Sequence, residues 1–199
     1  MANKPVKMRR ELNIEATRAA LMAVARKHFA RDGYSGAETA RIAADAGVTT
    51  GAIYHHFANK QGLFLAVAEG LEREILAVAA TGDEADPWPR LKAGFDRLID
   101  VCASPAVQRI IFVEAPQVIG PEAWLKIELR YAYGAMSVVL SALRDAKIIK
   151  PYPTEVIART LLALLRELSA EVARSKKDPH VRAQVGELAA GMLDVFLIH

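Results

Sequence analysis

Within the twelve residues Thr49–Lys60 (TTGAIYHHFANK) the chain gathers two threonine hydroxyls, a tyrosine, two adjacent histidines and a lysine. Side chains of these types donate to and accept from phosphate oxygens and base edges. The chemistry on offer is therefore recognition of a nucleic acid. A metal site is a poor alternative. His55 and His56 are neighbours, which point about 100° apart on a helix, and no cysteine or acid stands near them at ligand spacing. No metal and no cofactor are expected.

The elements around these residues fit that chemistry. Ile42–Phe57 (IAADAGVTTGAIYHHF) reads as two short helices joined by a tight turn. Ile42, Ala43 and Ala46 share one helical face. Gly47 follows where a left-handed turn is needed. Val48 returns to the core, Thr49 stands where an N-cap is expected, and Ile53 faces back from the second helix. Small Ala43 and Ala46 let the helices approach, as a helix-turn-helix requires. An ordinary helical hairpin would share much of this pattern.

A longer run of residues, about 14–64, resembles the TetR (tetracycline-repressor) family of bacterial transcriptional regulators. The matching positions are Phe29, Gly33-Tyr34, Ile42-Ala43, Ala46-Gly47-Val48, Gly51, Ile53-Tyr54, His56-Phe57, Lys60 and Leu63-Phe64, in order and without gaps. The resemblance implies a dimeric DNA-binding regulator. Thr49 would cap the recognition helix and meet phosphate, and Thr50, Ala52 and His55 would reach base edges. Gly51 would let the backbone approach the sugar-phosphate, and Tyr54, His56 and Lys60 would hold phosphates. One departure is that Glu38 and Arg41 replace the family's usual hydroxyl and acid at the start of the second helix, so the capping box is missing. Arg41 is a candidate phosphate contact in its place.

Composition agrees with a DNA-binding end. Residues 1–60 carry ten Lys/Arg against five Asp/Glu, and the remainder sixteen against eighteen. The positive end coincides with the helix-turn-helix, as attraction to phosphate requires. The basic stretch Lys4–Arg10 reads as an arm able to reach the duplex. Cys102 is the single cysteine, so no intrachain disulfide can form, and it reads as a small buried hydrophobe. The chain has no long apolar run and no signal-peptide core. A cytoplasmic location with no membrane partner is expected.

The rest of the chain reads as helix, near 60–80, 87–103, 106–117, 121–146, 154–176 and 178–197, with no sustained strand pattern. The expected fold is all-α: a three-helix DNA-binding domain over 1–64, joined through a long helix to a helical ligand-binding and dimerisation domain over 65–199. Leu161, Leu164, Leu165 and Leu168 repeat on the first of the two last helices, and Val185, Leu188, Met192 and Phe196 on the second. Periodicity alone leaves these faces free to close the subunit core or to meet a partner. The resemblance implies a four-helix interface between two subunits.

Phe112, Trp124, Glu128, Tyr131 and Glu167 are candidate ligand-lining residues. Trp124, Glu128 and Tyr131 share a helix face at i, i+4, i+7, which joins two aromatics to a carboxylate. Plain core packing, or an ion pair of Glu128 with Arg166 or Arg130, would produce the same pattern. The expected function is a repressor released from a palindromic operator by a small molecule. The competing readings are an all-helical enzyme or a protein-binding scaffold. No phosphate loop, zinc pattern or nucleophile elbow favours the enzyme, and a scaffold has no use for the electropositive first third.

Overall fold

The computed structural model describes residues 4–198. The side chains of residues 4–7 and 9–11, most of the basic stretch read as an arm, lie outside the described residues. The helices are α1 (Lys4–Gly36), α2 (Thr39–Asp45), α3 (Thr50–Phe57), α4 (Lys60–Ala79), α5 (Pro87–Cys102), α6 (Ala115–Ile119), α7 (Pro121–Arg130), α8 (Ala132–Asp145), α9 (Thr154–Arg174) and α10 (Pro179–Asp194), with a π-helical segment, Val107–Glu114, before α6. Among the described residues the extended pairing is one isolated antiparallel bridge, Ile149–Leu197.

Local chemistry explains several boundaries. Asn59 caps α4, its side chain accepting from the Gly62 N–H at 2.8 Å. Asp178 caps α10, accepting from the His180 N–H at 2.8 Å. Pro87, Pro121 and Pro179 sit in first turns, where the missing N–H has no helical partner to lose. Leu21, Ala25 and Phe29 of α1 form a buried core with Ile42, Ala43, Ile53, Phe57, Leu63 and Phe64. The ring of Phe64 meets those of Phe29 and Tyr34 edge-on, at 5.0 and 5.3 Å between centroids. The same α4 then carries Leu71 and Ile75 into a second stretch of core with Phe95, Leu98 and Ile99 of α5.

Three elements differ from the expected spans. The helix expected over 121–146 breaks at Tyr131 (φ −108°, ψ −92°). Gly134 accompanies the break, because a Cβ there would collide with the Leu129 carbonyl oxygen. The helix expected over 106–117 is wound as a π-helix through Glu114, with the Ala115 N–H reaching back to the Ile110 carbonyl. Pro116 supplies a reason: in an α-helix its ring would press on the Phe112 carbonyl and its nitrogen could not donate. The last helix stops at Asp194, and the chain beyond it pairs with the 148–150 segment through Lys150 N–H to Phe196 O (2.8 Å) and Ile198 N–H to Ile148 O (3.1 Å).

Side-chain ties fix α10 to α5. Arg182 donates to Asp100 at 2.7 Å and to Asp96 at 2.9 Å. Trp88 and Lys92 both donate to Asp194, at 3.1 and 2.8 Å.

Candidate nucleic-acid interface and ligand cavity

Ile42 and Ala43 of α2 and Ile53 and Phe57 of α3 point into the core formed with α1 and α4. Gly47 turns the chain between them with φ 69°. Helical phase then leaves Gly51, Tyr54 and His55 on the open side, all exposed, with Thr49 exposed just before the helix. Arg18 of α1, which was missed in the sequence, holds the far end of α3. Its guanidinium donates to the His56 carbonyl at 3.0 Å and lies 4.4 Å from the centre of the Phe57 ring.

One expected contact, the Thr49 cap, needs correction. Thr49 occupies the N-cap position in extended geometry, but its hydroxyl makes no capping hydrogen bond. Ala52 is half-buried and packs partly on the core, so it does not simply face outward. Thr50 is also half-buried. Lys60 is folded back on the last residues of α1: its Nζ lies 4.8 Å from the centre of the Tyr34 ring and donates to the Ser35 carbonyl at 3.4 Å. Arg41 pairs with Glu38 at 3.2 Å, both exposed, a pair weak enough to yield to a phosphate. Burial, helped by the nearby charges of His55 and Arg18, pushes the His56 imidazole below its ordinary pKa. His56 therefore offers a neutral ring at pH 7. Among the described residues no group of three His, Cys, Asp or Glu is placed to hold a metal ion.

In the larger part of the chain a cavity of about 210 Å³ opens among α4, α5, the π-helical segment, α7 and α9. Phe112, Trp124 and Glu128 border it, but Tyr131 and Glu167 do not. Tyr131 is buried at the α7–α8 break, with the Arg130 guanidinium 5.5 Å from its ring centre. Glu167 is exposed and pairs with Arg174 at 3.2 Å. Glu72, Cys102 and Arg166 complete the polar lining. Burial pushes the Cys102 thiol up to about 12, which leaves it inert as a nucleophile. A wider groove of about 730 Å³ runs along α1 and α4 beside Ser104–Ala106. Two of its charged residues, Arg26 and Glu74, already pair with each other at 2.7 Å.

The π-helical segment touches both regions. Ile111 and Phe112 border the cavity. Arg109 and Glu114 of the same segment hold the kink at Gly33 near the end of α1, where Glu114 accepts from the Tyr34 N–H at 2.8 Å and Arg109 donates to the Arg31 carbonyl at 2.7 Å. Arg109 also pairs with Glu114 at 3.3 Å. Just beyond, Gln61 of α4 donates to the Val118 carbonyl of α6 at 2.6 Å.

The residues expected at a subunit interface divide. Leu161, Leu165, Leu168 and Val185 are buried within their own subunit, so they close its core and present nothing to a partner. Leu164 and Phe196 are half-buried. Leu188 and Met192 are exposed, and Val156 and Val195 join them as exposed apolar residues on or beside the last two helices.

Residues 21–67 match the family model "Bacterial regulatory proteins, tetR family". Residues 88–196 match "Tetracyclin repressor-like, C-terminal domain". The chain is 30% identical over 150 residues to the transposon Tn10 TetC protein of Escherichia coli, covering 75% of this chain and 76% of that one. It is 35% identical over 102 residues to the HTH-type transcriptional repressor SCO4008 of Streptomyces coelicolor, half of each chain. Its fold is similar to that of the transcriptional regulator FadR from Bacillus subtilis solved in complex with stearoyl-CoA, with TM-score 0.73, 15% identity, and coverage of 91% of this chain and 99% of that one. No helix among the described residues is long and apolar enough to cross a membrane.

Proposed function

The chain belongs to the TetR family of bacterial regulatory proteins, and from that membership we propose a homodimeric repressor that leaves a palindromic operator when a small organic ligand fills the cavity beside α4. At the coarser level the chain is a DNA-binding transcriptional regulator and not an enzyme. The observation that carries the finer reading is the open side of α3. Tyr54 and His55 project from it, Thr49 stands just before its first turn, and Ile53 and Phe57 anchor its back.

In this reading the head is residues 1–64 and the body 65–199, with the boundary inside α4, and the protein acts in the cytoplasm. Thr50, Ala52 and His55 read bases. Thr49, Gly51, Tyr54, His56, Arg41 and Lys60 meet the phosphate backbone, Lys60 after swinging off Tyr34. Repression is supported by the similarity to a named repressor. Dimerisation is supported by the exposed apolar row Leu188, Met192 and Val195 on and after α10, and helix-turn-helix dimers match half-sites about one helical turn apart.

Release follows from the π-helical segment. A ligand pressing on Ile111 and Phe112 moves the backbone that carries Arg109 and Glu114. Their grip on residues 31–34 then changes, and the head turns relative to its partner's head. Ligand favours the mis-spaced arrangement, so operator must weaken ligand binding by the same factor. The FadR complex with stearoyl-CoA supports a ligand-binding body on this fold.

Selection of bound duplexes from a random pool tests the proposal. A palindromic winner, bound with an affinity that falls steeply with salt, is the expected result. Binding that selects no sequence, or a winner without two-fold symmetry, would overturn the dimeric operator reading.

A further inference from the structure

Glu72 is 3% exposed on the middle of α4, and its Oε2 is buried with no hydrogen-bond partner among the described residues. A carboxylate held this way is costly unless something pairs with it. It borders the cavity, where a second acid, Glu128 of α7, is close enough for its charge to act on Glu72. We infer that the cavity takes a small organic cation, its ammonium held between Glu72 and Glu128 and its apolar body against Phe112 and Trp124. The inference rests on the cavity being the effector site.

The other groups facing Glu72 agree. Cys102 on α5 stays neutral, and the π-helical segment, α6 and α8 contribute Ile111, Phe112, Pro116 and Ala132, none of them charged. Arg166 on α9 is the one cation in the lining. It is exposed, and its charge acts on Glu128. Two acids thus face one guanidinium, and the deeper acid is the one without a partner. A carboxylate ligand would meet two acids against a single guanidinium. The cavity's volume, about 210 Å³, falls below the roughly 300–1,000 Å³ usual for drug-sized ligands, so a compact molecule fits best.

Burial first, and the charge of Glu128 second, push the Glu72 carboxyl up to about 7. A bound ammonium favours the ionised form, so Glu72 gives up its proton on binding. For a ligand that stays cationic, affinity should rise by up to about ten-fold between pH 6 and pH 8 as the ionised fraction climbs.

Calorimetric titration of the full chain tests this with two isosteric sets: 2-phenylethylamine, 2-phenylethanol and phenylacetate; tryptamine, tryptophol and indole-3-acetate. The amines should bind at least ten-fold tighter than their alcohols, the acids should not bind, and Glu72→Gln should erase the preference. Should Glu72→Gln not fold, Glu128→Gln, at a half-buried position, carries the same test. The inference is overturned if an acid or alcohol binds as tightly as its amine, if the preference survives both substitutions, or if neither amine binds at millimolar concentration. An acid or alcohol that binds and displaces operator would overturn the cation while keeping the ligand-released repressor. Amine binding that leaves operator affinity unchanged would keep the cation and remove its role in release.

Discussion

The carboxylate of Glu114 accepts a hydrogen bond from the backbone N–H of Tyr34 at 2.8 Å, across eighty residues of sequence. It joins the π-helical segment that borders the cavity to the kink at Gly33 near the end of α1. Glu114→Ala leaves that N–H without its charged acceptor, and hydrogen bonds to charged groups contribute about 1.5–3 kcal/mol. The substitution should speed amide exchange at Tyr34 and reduce the change in operator affinity on adding ligand. Unchanged exchange at Tyr34 would show that the contact does not hold the kink.

Gly33 sits inside that contact with φ 75°. A Cβ there would lie 2.5 Å from Glu114 Oε1 and 2.6 Å from Arg109 Nη2. Gly33→Ala combines backbone strain with displacement of both side chains, for a cost of about 1–3 kcal/mol. Denaturant unfolding should show a lower midpoint at unchanged slope, and an unchanged midpoint would contradict this account.

Thr50→Val and His55→Ala should each alter the preferred base at one position of each half-site, with about 1–3 kcal/mol of discrimination at stake. Thr49→Val should instead weaken all duplexes by a similar factor. Parallel selections on the three variants separate the effects. Identical winners for Thr50→Val, His55→Ala and the parent would remove those two residues from base reading.

Leu188→Glu and Met192→Glu place charges on an exposed apolar row without disturbing the buried core. Sedimentation should show a shift from dimer toward monomer, with loss of tight binding to a two-half-site duplex. Leu165→Ala serves as a contrast. It enlarges the cavity that Leu165 already borders and should cost about 2–5 kcal/mol of stability. A monomeric parent protein would remove the basis for this comparison.

Glu72 has a definite pH signature. Its pKa rises from about 4.5 unfolded to about 7 folded, so between those values the folded state binds more protons. Stability is lost as pH climbs through that window, by on the order of 3 kcal/mol at most. Glu72→Gln removes this dependence. The variant's melting temperature should gain on the parent's from pH 5 to pH 8, and parallel curves would refute the assignment.

The helix-turn-helix was legible because its determinants are local. Ile42, Ala43, Gly47 and Ile53 set one another's positions within a dozen residues, and helical phase then exposes Tyr54 and His55. The contacts of Arg18 with His56 and of Glu114 with Tyr34 were not legible, since no spacing relates residues brought together from distant helices. The last two helices show a related limit. Apolar periodicity marked Leu161 and Leu188 alike, but only the packed subunit tells that the first is covered by its own chain and the second is open. Glu72 escaped notice because a single acid in a helix reads as a surface residue until its neighbours enclose it.

Helix α4 runs without interruption from Lys60, at the edge of the head, past Glu72 in the cavity wall to Ala79. Its twenty residues make a rod roughly 30 Å long. Anyone grafting a foreign reader onto the larger part of this chain must therefore keep count along that rod. One extra residue at the splice swings the two modules about 100° out of phase, whereas an insert of seven restores their alignment to within about 20°.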